Sequence, residues 1–237
     1  MDNNFDYTLN LNKTNKELIK DNELKKLIQF KLDKIEFDQA DLININDIIL
    51  NGKKNNGDIN IIDFNDINLF PNLKKIEFKN ISISKEQLKI IEGLDEIYFQ
   101  NCKIESIENI EQIKKISFNN CLIGNFNIIE NFKNLEELEL INMKLYNFDF
   151  LKELKILRLL KIKNINEFSL DKIDFILPIK YFSIDGIDNL KEDYLTKNYP
   201  NLETLSIPMD KQDDWSEELE KIEQNGIKIL INDIYEY

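Results

Sequence analysis

Histidine is absent from this chain of 237 residues, and cysteine occurs only twice. The first absence removes the commonest catalytic base and the commonest ligand of transition metals, and the second rules out a framework of several disulfides. Glycine and proline are also scarce, at six and four residues, and the scattered glycines form no phosphate-binding loop. We therefore predict a protein with no cofactor and no metal, and no nucleophile with a positioned base can be assembled from the sequence.

Arginine is represented by Arg158 alone, alanine by Ala40 alone, and valine not at all, whereas isoleucine, asparagine and lysine dominate. The abundant residues have codons rich in A and T, so this bias is typical of an AT-rich genome. The 44 acidic residues outnumber the 31 basic ones and give a formal net charge of -13, which disfavours nucleic acid as a partner. Because no apolar run has the length of a signal peptide or a membrane span, we predict a cytoplasmic protein that binds no membrane.

One pattern of apolar residues recurs along the chain, at positions 1, 4, 6, 9 and usually 11 of each copy, often with asparagine at position 8. The clear copies begin at Leu73, Leu94, Ile113, Leu135, Leu157, Ile179 and Leu202, and successive copies are 19 to 23 residues apart. The alternation around positions 4 and 6 predicts a short strand with one buried face. Because one copy cannot bury this face alone, neighbouring copies must stack into a curved solenoid with parallel strands on its concave side.

The pattern resembles the unit L-x-x-L-x-L-x-x-N/C-x-L of the leucine-rich repeat family, whose copies span about 20 to 29 residues. Residues 104–113 resemble the short repeats of internalins and of phosphatase regulatory subunits, while other outer segments look helical, and Cys102 and Cys121 match the cysteine-type position 9. The resemblance implies an α/β solenoid, a right-handed superhelix with a concave parallel sheet and with short helices or 3-10 turns on its convex side. It also implies that the function is protein recognition.

The asparagine column departs from the family, because it occupies position 8 instead of position 9. Its members are Asn80, Asn101, Asn120, Asn142 and Asn164. Asparagine readily satisfies the backbone of turns, so we interpret the column as the stabilised edge of a turn.

The chain is expected to divide into three parts: a capping helix within residues 1–31, repeats over 32–209 that are irregular over 32–70 and regular over 70–209, and an acidic cap over 210–237. A capping box between Thr14 and Glu17 is expected to open the first helix. In the irregular part, the series Leu32-Ile35-Phe37-Ala40-Leu42 and Ile59-Ile62-Phe64-Ile67 are interpreted as further copies of the repeat. The acidic cap is expected to contain an amphipathic helix and a final strand.

Positions 3, 5 and 7 of the repeats are predicted to face the concave side, where their charges cancel. Five residues of this face are candidate partner-binding residues: Tyr98, Ile141, Leu159, Lys161 and Tyr181. Ile141, Leu159 and Tyr181 are expected to form an apolar patch across three adjacent repeats, and such clusters on a rigid surface are typical of interface anchors. An isoleucine-rich chain also leaves apolar residues on surfaces that bind nothing, so the alternative stays open.

Three further features have both a structural and a functional interpretation. Cys102 and Cys121 are predicted to be buried neighbours with free thiols instead of a disulfide or half a zinc site. Glu137 and Glu139 are predicted to be solvated surface residues instead of a catalytic pair. The segment from Asp210 to Tyr237 carries nine acids against three lysines, which either keeps this end soluble or attracts a basic partner.

These observations predict a non-catalytic, monomeric protein that binds another protein through its concave sheet. One alternative is an inhibitor or immunity-type protein that blocks a basic enzyme through its acidic C-terminal end. Two others are an enzyme that uses carboxylates and a structural scaffold that associates with itself.

Overall fold

A computed structural model of the chain describes residues 18–54, 57–58, 64–89, 93–107, 112–124, 129, 132–166 and 168–232. Within them the helices are α1 (Asn22–Leu32), α2 (Gln39–Leu42), α3 (Lys85–Lys89), α4 (Glu192–Asn198) and α5 (Ser216–Gln224). The strands are β1 (Asp47–Asn51), β2 (Lys53–Lys54), β3 (Gly57–Asp58), β4 (Lys75–Lys79), β5 (Ser82–Ile83), β6 (Glu96–Gln100), β7 (Lys103–Ile104), β8 (Lys115–Asn119), β9 (Leu122–Ile123), β10 (Glu137–Ile141), β11 (Leu159–Lys163), β12 (Tyr181–Asp185), β13 (Thr204–Pro208) and β14 (Lys228–Asn232). Turns of 3-10 helix lie at Phe64–Leu69, Asp149–Glu153, Leu170–Lys172 and Met209–Lys211.

Nine strands form one parallel sheet, in the order β1-β4-β6-β8-β10-β11-β12-β13-β14. Each repeat pairs with the next position for position, so that Ile76 lies beside Ile97 and Phe78 beside Phe99. Positions 4 and 6 of the seven clear copies point into one continuous core. The seven strands predicted from the apolar pattern are therefore confirmed.

Aromatic rings fill the first part of this core. Phe64, Phe78, Phe99 and Phe118 form a stack with centroid separations of 5.4, 5.4 and 5.3 Å. From β10 onward the same position holds the aliphatic residues Leu140, Ile162, Ile184 and Ile207. Each of these side chains is almost completely buried, and such burial contributes about 1.5–3 kcal/mol for a large apolar residue.

The asparagine column occupies the turns that follow β4, β6, β8, β10 and β11. All five residues have left-handed backbone, with φ between 51° and 55°. Asparagine tolerates this conformation better than other residues with a Cβ atom, and Gly186 takes the equivalent place in the next repeat with φ of 78°. The turn is therefore the reason for the column, in agreement with its predicted structural role.

The segments after the turn change along the solenoid. In the first repeats they add a second parallel sheet, β5-β7-β9, and α3 follows β5. A reciprocal capping box opens α3, because Ser84 N–H donates to Gln87 Oε1 at 2.9 Å and Gln87 N–H to Ser84 Oγ at 3.3 Å. The later repeats use 3-10 turns and then α4, so the predicted mixture of outer segments is present.

The N-terminal end differs from the predicted frame. Residues 35–37 form no strand, and Ile35 is 85% exposed. Asp33 ends α1 in the left-handed conformation, and a capping box between Asp38 and Asp41 opens α2, so these residues connect two helices. The proposed copy that begins at Leu32 is therefore wrong.

The first strand is β1, whose inward residues are Ile48 and Leu50. Its pairing with β4 places Ile45 at position 1, 28 residues before Leu73. In the other proposed copy, Phe64 and Ile67 lie in a 3-10 turn instead of a strand, whereas Ile59 and Ile62 lie outside the described residues.

Helix α1 packs on this end of the sheet through the buried Leu24 and Ile28. Asp66, only 5% exposed, accepts hydrogen bonds from the backbone N–H groups of Lys20 and Asp21 at 2.8 and 2.9 Å. This carboxylate ties the entry to α1 to the 3-10 turn that precedes β4. The predicted capping box at Thr14 and Glu17 lies outside the described residues.

At the other end, α5 covers the core with Leu219 and Ile222, and Gly226 turns the chain into β14 with φ of 83°. The predicted amphipathic helix and final strand are thus both present. Across the described residues, each helix is too short and too polar to cross a bilayer.

Candidate binding surface

The outward residues of the nine-stranded sheet form three rows across its concave face. Row 1 takes the first residue of each strand, row 2 the third and row 3 the fifth. Row 1 reads Asp47, Lys75, Glu96, Lys115, Glu137, Leu159, Tyr181, Thr204 and Lys228; row 2 reads Ile49, Glu77, Tyr98, Ser117, Glu139, Lys161, Ser183, Ser206 and Leu230; row 3 reads Asn51, Lys79, Gln100, Asn119, Ile141, Lys163, Asp185, Pro208 and Asn232.

Tyr98 is the centre of a polar cluster on β4, β6 and β8. Its hydroxyl donates to Glu96 Oε2 at 2.8 Å, and Lys75 Nζ lies 4.4 Å from the ring centroid. Lys115 Nζ approaches the same ring at 5.6 Å. Burial, and then the hydrogen bond to Glu96, raise the pKa of Tyr98 well above its ordinary value.

Lys115 extends this cluster to β10. Its ammonium lies 3.0 Å from Glu137 Oε2 and 3.3 Å from Glu139 Oε1, and Ser117 Oγ donates to Glu139 at 3.0 Å. Partial burial lowers the pKa of Lys115, but the hydrogen bond to Glu137 and the charge of Glu139 outweigh it and raise that pKa well above its ordinary value. We call Lys75, Glu96, Tyr98, Lys115, Glu137 and Glu139 the charged network.

The remaining candidate residues lie on β10, β11 and β12. Leu159 and Tyr181 are direct cross-strand neighbours in row 1, and both are half-buried. We call them the apolar pair. Ile141 is in row 3, four residues further along the strand direction than row 1. This offset corresponds to about 13 Å from the apolar pair. The predicted patch of three apolar residues is therefore wrong, because it pooled positions that lie in different rows.

Lys161 lies in row 2 between the apolar pair and Ile141. It is half-buried and makes no ion pair with any described residue, since its neighbour Glu139 is already paired with Lys115. Tyr98 is three strands from Leu159, about 14 Å away. The structure thus brings Leu159, Tyr181, Lys161 and Ile141 into one region and leaves Tyr98 in the charged network.

Sequence reasoning missed a groove of about 960 Å³ along row 3. Row 3 residues from Gln100 on β6 to Asp185 on β12 form one side, and the asparagine column from Asn101 to Asn164 forms the other. Lys161 lies in the groove as well, and Asp210 closes the end beyond β13. We call this feature the amide groove. The signal that could have revealed it was the position of five asparagines directly beside row 3.

The asparagine side chains are hydrogen-bonded to one another in two runs. In the first run, Asn120 donates to Asn101 at 2.7 Å, Asn101 to Asn80 at 3.2 Å, and Asn80 to Asn51 at 2.9 Å. In the second, Asn164 donates to Asn142 at 3.1 Å and Asn142 to Asn119 at 3.0 Å. The column is interrupted between Asn120 and Asn142, in the middle of the amide groove.

Cys102 and Cys121 are buried free thiols, as predicted. Their Sγ atoms donate to the carbonyls of Phe78 and Phe99 at 3.3 and 3.4 Å. The neighbouring Cys102 and burial raise the pKa of Cys121 well above its ordinary value, so this thiol stays protonated at neutral pH. The thiols therefore complete the hydrogen bonding of the strand ends.

The acidic end contains a second groove, of about 310 Å³, between α5 and β14. Leu219, Ile229 and Ile231 provide apolar lining, and Asp213, Glu220 and Glu223 also line it. Among the described residues, β14 pairs with β13 and is an edge of the sheet.

Parallel strands in continuous register, a shared apolar frame and a left-handed turn after six successive strands of the main sheet define a leucine-rich repeat solenoid. Among solved structures, the fold is similar to that of an internalin, InlF, from Listeria monocytogenes, with a TM-score of 0.57 and 16% sequence identity. The similarity covers 93% of this chain and 66% of the internalin chain, so the chain spans somewhat less than two thirds of that protein. No family model matches the sequence, and no curated protein matches it. The similarity therefore establishes the fold.

Proposed function

We propose that this protein is a non-catalytic recognition module that binds another protein through the C-terminal half of its concave face, as a monomer in the cytoplasm. The observation that carries the proposal is the contrast on this face: the apolar pair lies half-buried beside Lys161, which makes no ion pair among the described residues, whereas the charged network is paired internally. Tyrosine is a residue type that is enriched among interface anchors, and Leu159 beside Tyr181 adds apolar area on a rigid sheet. The two free thiols fit a reducing compartment.

A catalytic role for Glu137 and Glu139 has less support. Both carboxylates contact the same lysine on an open sheet. Acid and base catalysis by two carboxylates requires environments that separate their pKa values. Lys115 holds both carboxylates, and Glu139 also accepts a hydrogen bond from Ser117, so these contacts favour a structural role.

The test is an affinity capture from lysate of the source cells with a matched pair of double variants. Leu159→Lys with Tyr181→Lys changes the apolar pair, while Ile156→Lys with Ile176→Lys changes two exposed isoleucines outside the sheet. Circular dichroism checks that both variants are folded. We expect one protein to be captured by the wild type and by the control pair, and lost with the apolar-pair variant. Retention by the apolar-pair variant, or no specific capture by the wild type, counts against the proposal.

The groove between α5 and β14 supports a second candidate, in which the acidic end binds a basic protein. Its apolar lining and its three acids suit a strand that carries both apolar and basic residues. Attraction between exposed charges is screened by salt. Capture through this end would therefore fall steeply between low and high salt and would be insensitive to changes in the apolar pair.

A further inference from the structure

We propose that the amide groove binds an extended polypeptide segment, which carries an acidic side chain against Lys161 and a basic side chain about three residues away against Asp210. This inference rests on the proposed function and specifies the kind of partner.

The dimensions of the groove fit an extended chain. It runs across five strands, from β6 to β12, so it is about 19 Å long at the usual spacing between strands. An extended chain advances by about 3.3 Å per residue, so the groove holds about six residues. An α-helix with its side chains is about 10 Å wide, so it would lie above the groove instead of entering it.

Carboxamides give the groove its hydrogen-bonding capacity. A carboxamide carries two N–H donors and an oxygen with two acceptor positions. The asparagine runs use one donor of each amide, so Asn101, Asn120, Asn142 and Asn164 keep a second N–H without a partner among the described residues. Asn120 Oδ1, at the interruption, accepts no bond from the column. An extended backbone offers N–H and C=O groups that match these amides. Without such hydrogen bonds, the amides of the groove would lose water on binding and gain no partner.

The charges of the groove set the expected side chains. Lys161 has no ion-pair partner within the described part of the chain, whereas Lys163 lies 3.7 Å from Asp185. Asp210 is exposed and also makes no ion pair among the described residues. It follows β13, which is two strands beyond β11, so it lies about 10 Å from Lys161 along the groove. A segment with an acid and a base about three residues apart neutralises both sites.

A glycan is a weaker match for this surface. Sugar rings pack their C–H faces against aromatic side chains, and none of the residues that line the amide groove is aromatic. The lining consists of carboxamides, two lysines, two aspartates and Ile141. This composition favours amide groups as the ligand.

The test uses a phage-displayed library of random dodecapeptides, selected on the wild-type protein, followed by affinity measurement of the enriched synthetic peptides. Four variants are compared. Lys161→Glu reverses a charge that has no ion pair among the described residues, and its control Lys103→Glu reverses a lysine charge on the outer sheet, β5-β7-β9. Asn142→Gly removes a groove amide and tolerates the left-handed backbone, and its control Asn80→Gly does the same at a turn outside the groove.

We expect enriched peptides with an acidic residue three positions from a basic one. Their affinity should fall at least about tenfold with Lys161→Glu, a typical cost of a reversed interface charge, and severalfold with Asn142→Gly, while both controls bind like the wild type. No enrichment, peptides without this charge pattern, or affinities that are insensitive to Lys161→Glu would overturn the inference. So would binding of glycans from an array in place of peptides.

The failure of this inference can be separated from that of the proposed function. If the captured protein is lost with Leu159→Lys and Tyr181→Lys but kept with Lys161→Glu and Asn142→Gly, the apolar pair binds and the amide groove does not. If the peptides bind the groove while the captured protein ignores the apolar pair, the groove is the functional site, and the proposed anchors are wrong.

Discussion

The two halves of the concave face are built from the same repeat, but their side chains make different contacts with one another. On β4 to β10, the charged network pairs its cations with carboxylates or an aromatic ring. On β11 and β12, Leu159 and Tyr181 lie side by side, and Lys161 has no ion pair among the described residues. A surface whose polar groups already bind one another has little to offer a partner, since binding would first break those contacts.

The core under the two halves differs in the same direction. The stack of four phenylalanines ends at β8, and aliphatic residues continue from β10. Stacked rings add about 0.5–1.5 kcal/mol to the contribution of burial. The difference is confined to position 6, because Phe148 packs against Phe168, and Phe182 against Tyr199, in the C-terminal half.

Truncation in the ring stack should have the largest effect on stability. Phe99→Ala removes a ring that stacks on Phe78 and Phe118, and large-to-small changes of this kind cost about 3–5 kcal/mol. Gln100→Ala changes the next residue, on the opposite face of the same strand. As an ordinary surface change, it should cost at most about 0.5 kcal/mol. Urea denaturation measures the free energy of unfolding of both variants. Equal losses would show that the ring stack does not contribute to stability as proposed.

Two lysines of the concave face should respond differently to the same substitution. Lys115→Met leaves Glu137 and Glu139 together without their cation, for a loss of about 1–3 kcal/mol. Lys161→Met removes no ion pair among the described residues, so the free energy of unfolding should change by at most about 0.5 kcal/mol. If the two variants are equally stable in urea, the contrast between the paired Lys115 and Lys161, which has no ion pair among the described residues, fails.

Alkaline pH should weaken the charged network. The pKa values of Tyr98 and Lys115 are raised above their ordinary values of 10.0 and 10.5, so the folded state holds protons that the unfolded chain has released. This contribution is complete below about pH 10 and is lost as pH rises towards the folded-state pKa values. Between about pH 9 and about pH 11, the wild type should therefore lose more stability than Tyr98→Phe. Parallel pH profiles would contradict this account.

The smallest effect is expected from removal of single hydroxyl groups. Tyr98→Phe loses the hydrogen bond to Glu96 and should cost about 0.5–1.5 kcal/mol. Tyr199 is 1% exposed, and its hydroxyl has no partner within the described part of the chain. Tyr199→Phe should therefore be neutral or stabilising by up to about 1 kcal/mol, which thermal denaturation can detect. Destabilisation by Tyr199→Phe would indicate a partner for this hydroxyl.

The regular repeats could be predicted because each strand carries the same apolar period and five successive turns carry asparagine. The first strand could not, since Ile45 precedes Leu73 by 28 residues and no neighbouring copy sets its register. There the apolar residues Leu32 and Phe37 imitate the repeat, while Asp33, Asp38 and Asp41 direct the backbone into helix ends. Local capping thus overrides the apolar pattern.

The candidate surface was predicted only in part, because its properties depend on which residues become neighbours. The sequence places Ile141, Leu159 and Tyr181 in adjacent repeats, but the register separates Ile141 from the other two by four residues along the strand. The pairing of Lys115 with two glutamates depends on cross-strand geometry, as does the absence of such a pair for Lys161 among the residues that the structure describes. The amide groove follows from the alignment of one turn with the next.

The central claim is tested most directly by one substitution made in both halves of the face. The affinity of the captured protein should be measured by calorimetry for the wild type, Tyr181→Lys and Tyr98→Lys, at a temperature where circular dichroism shows all three folded. The account predicts that Tyr181→Lys weakens binding at least about tenfold, as for an interface anchor, and that Tyr98→Lys binds like the wild type. Normal binding by Tyr181→Lys together with loss of binding by Tyr98→Lys would place recognition in the N-terminal half and contradict the account.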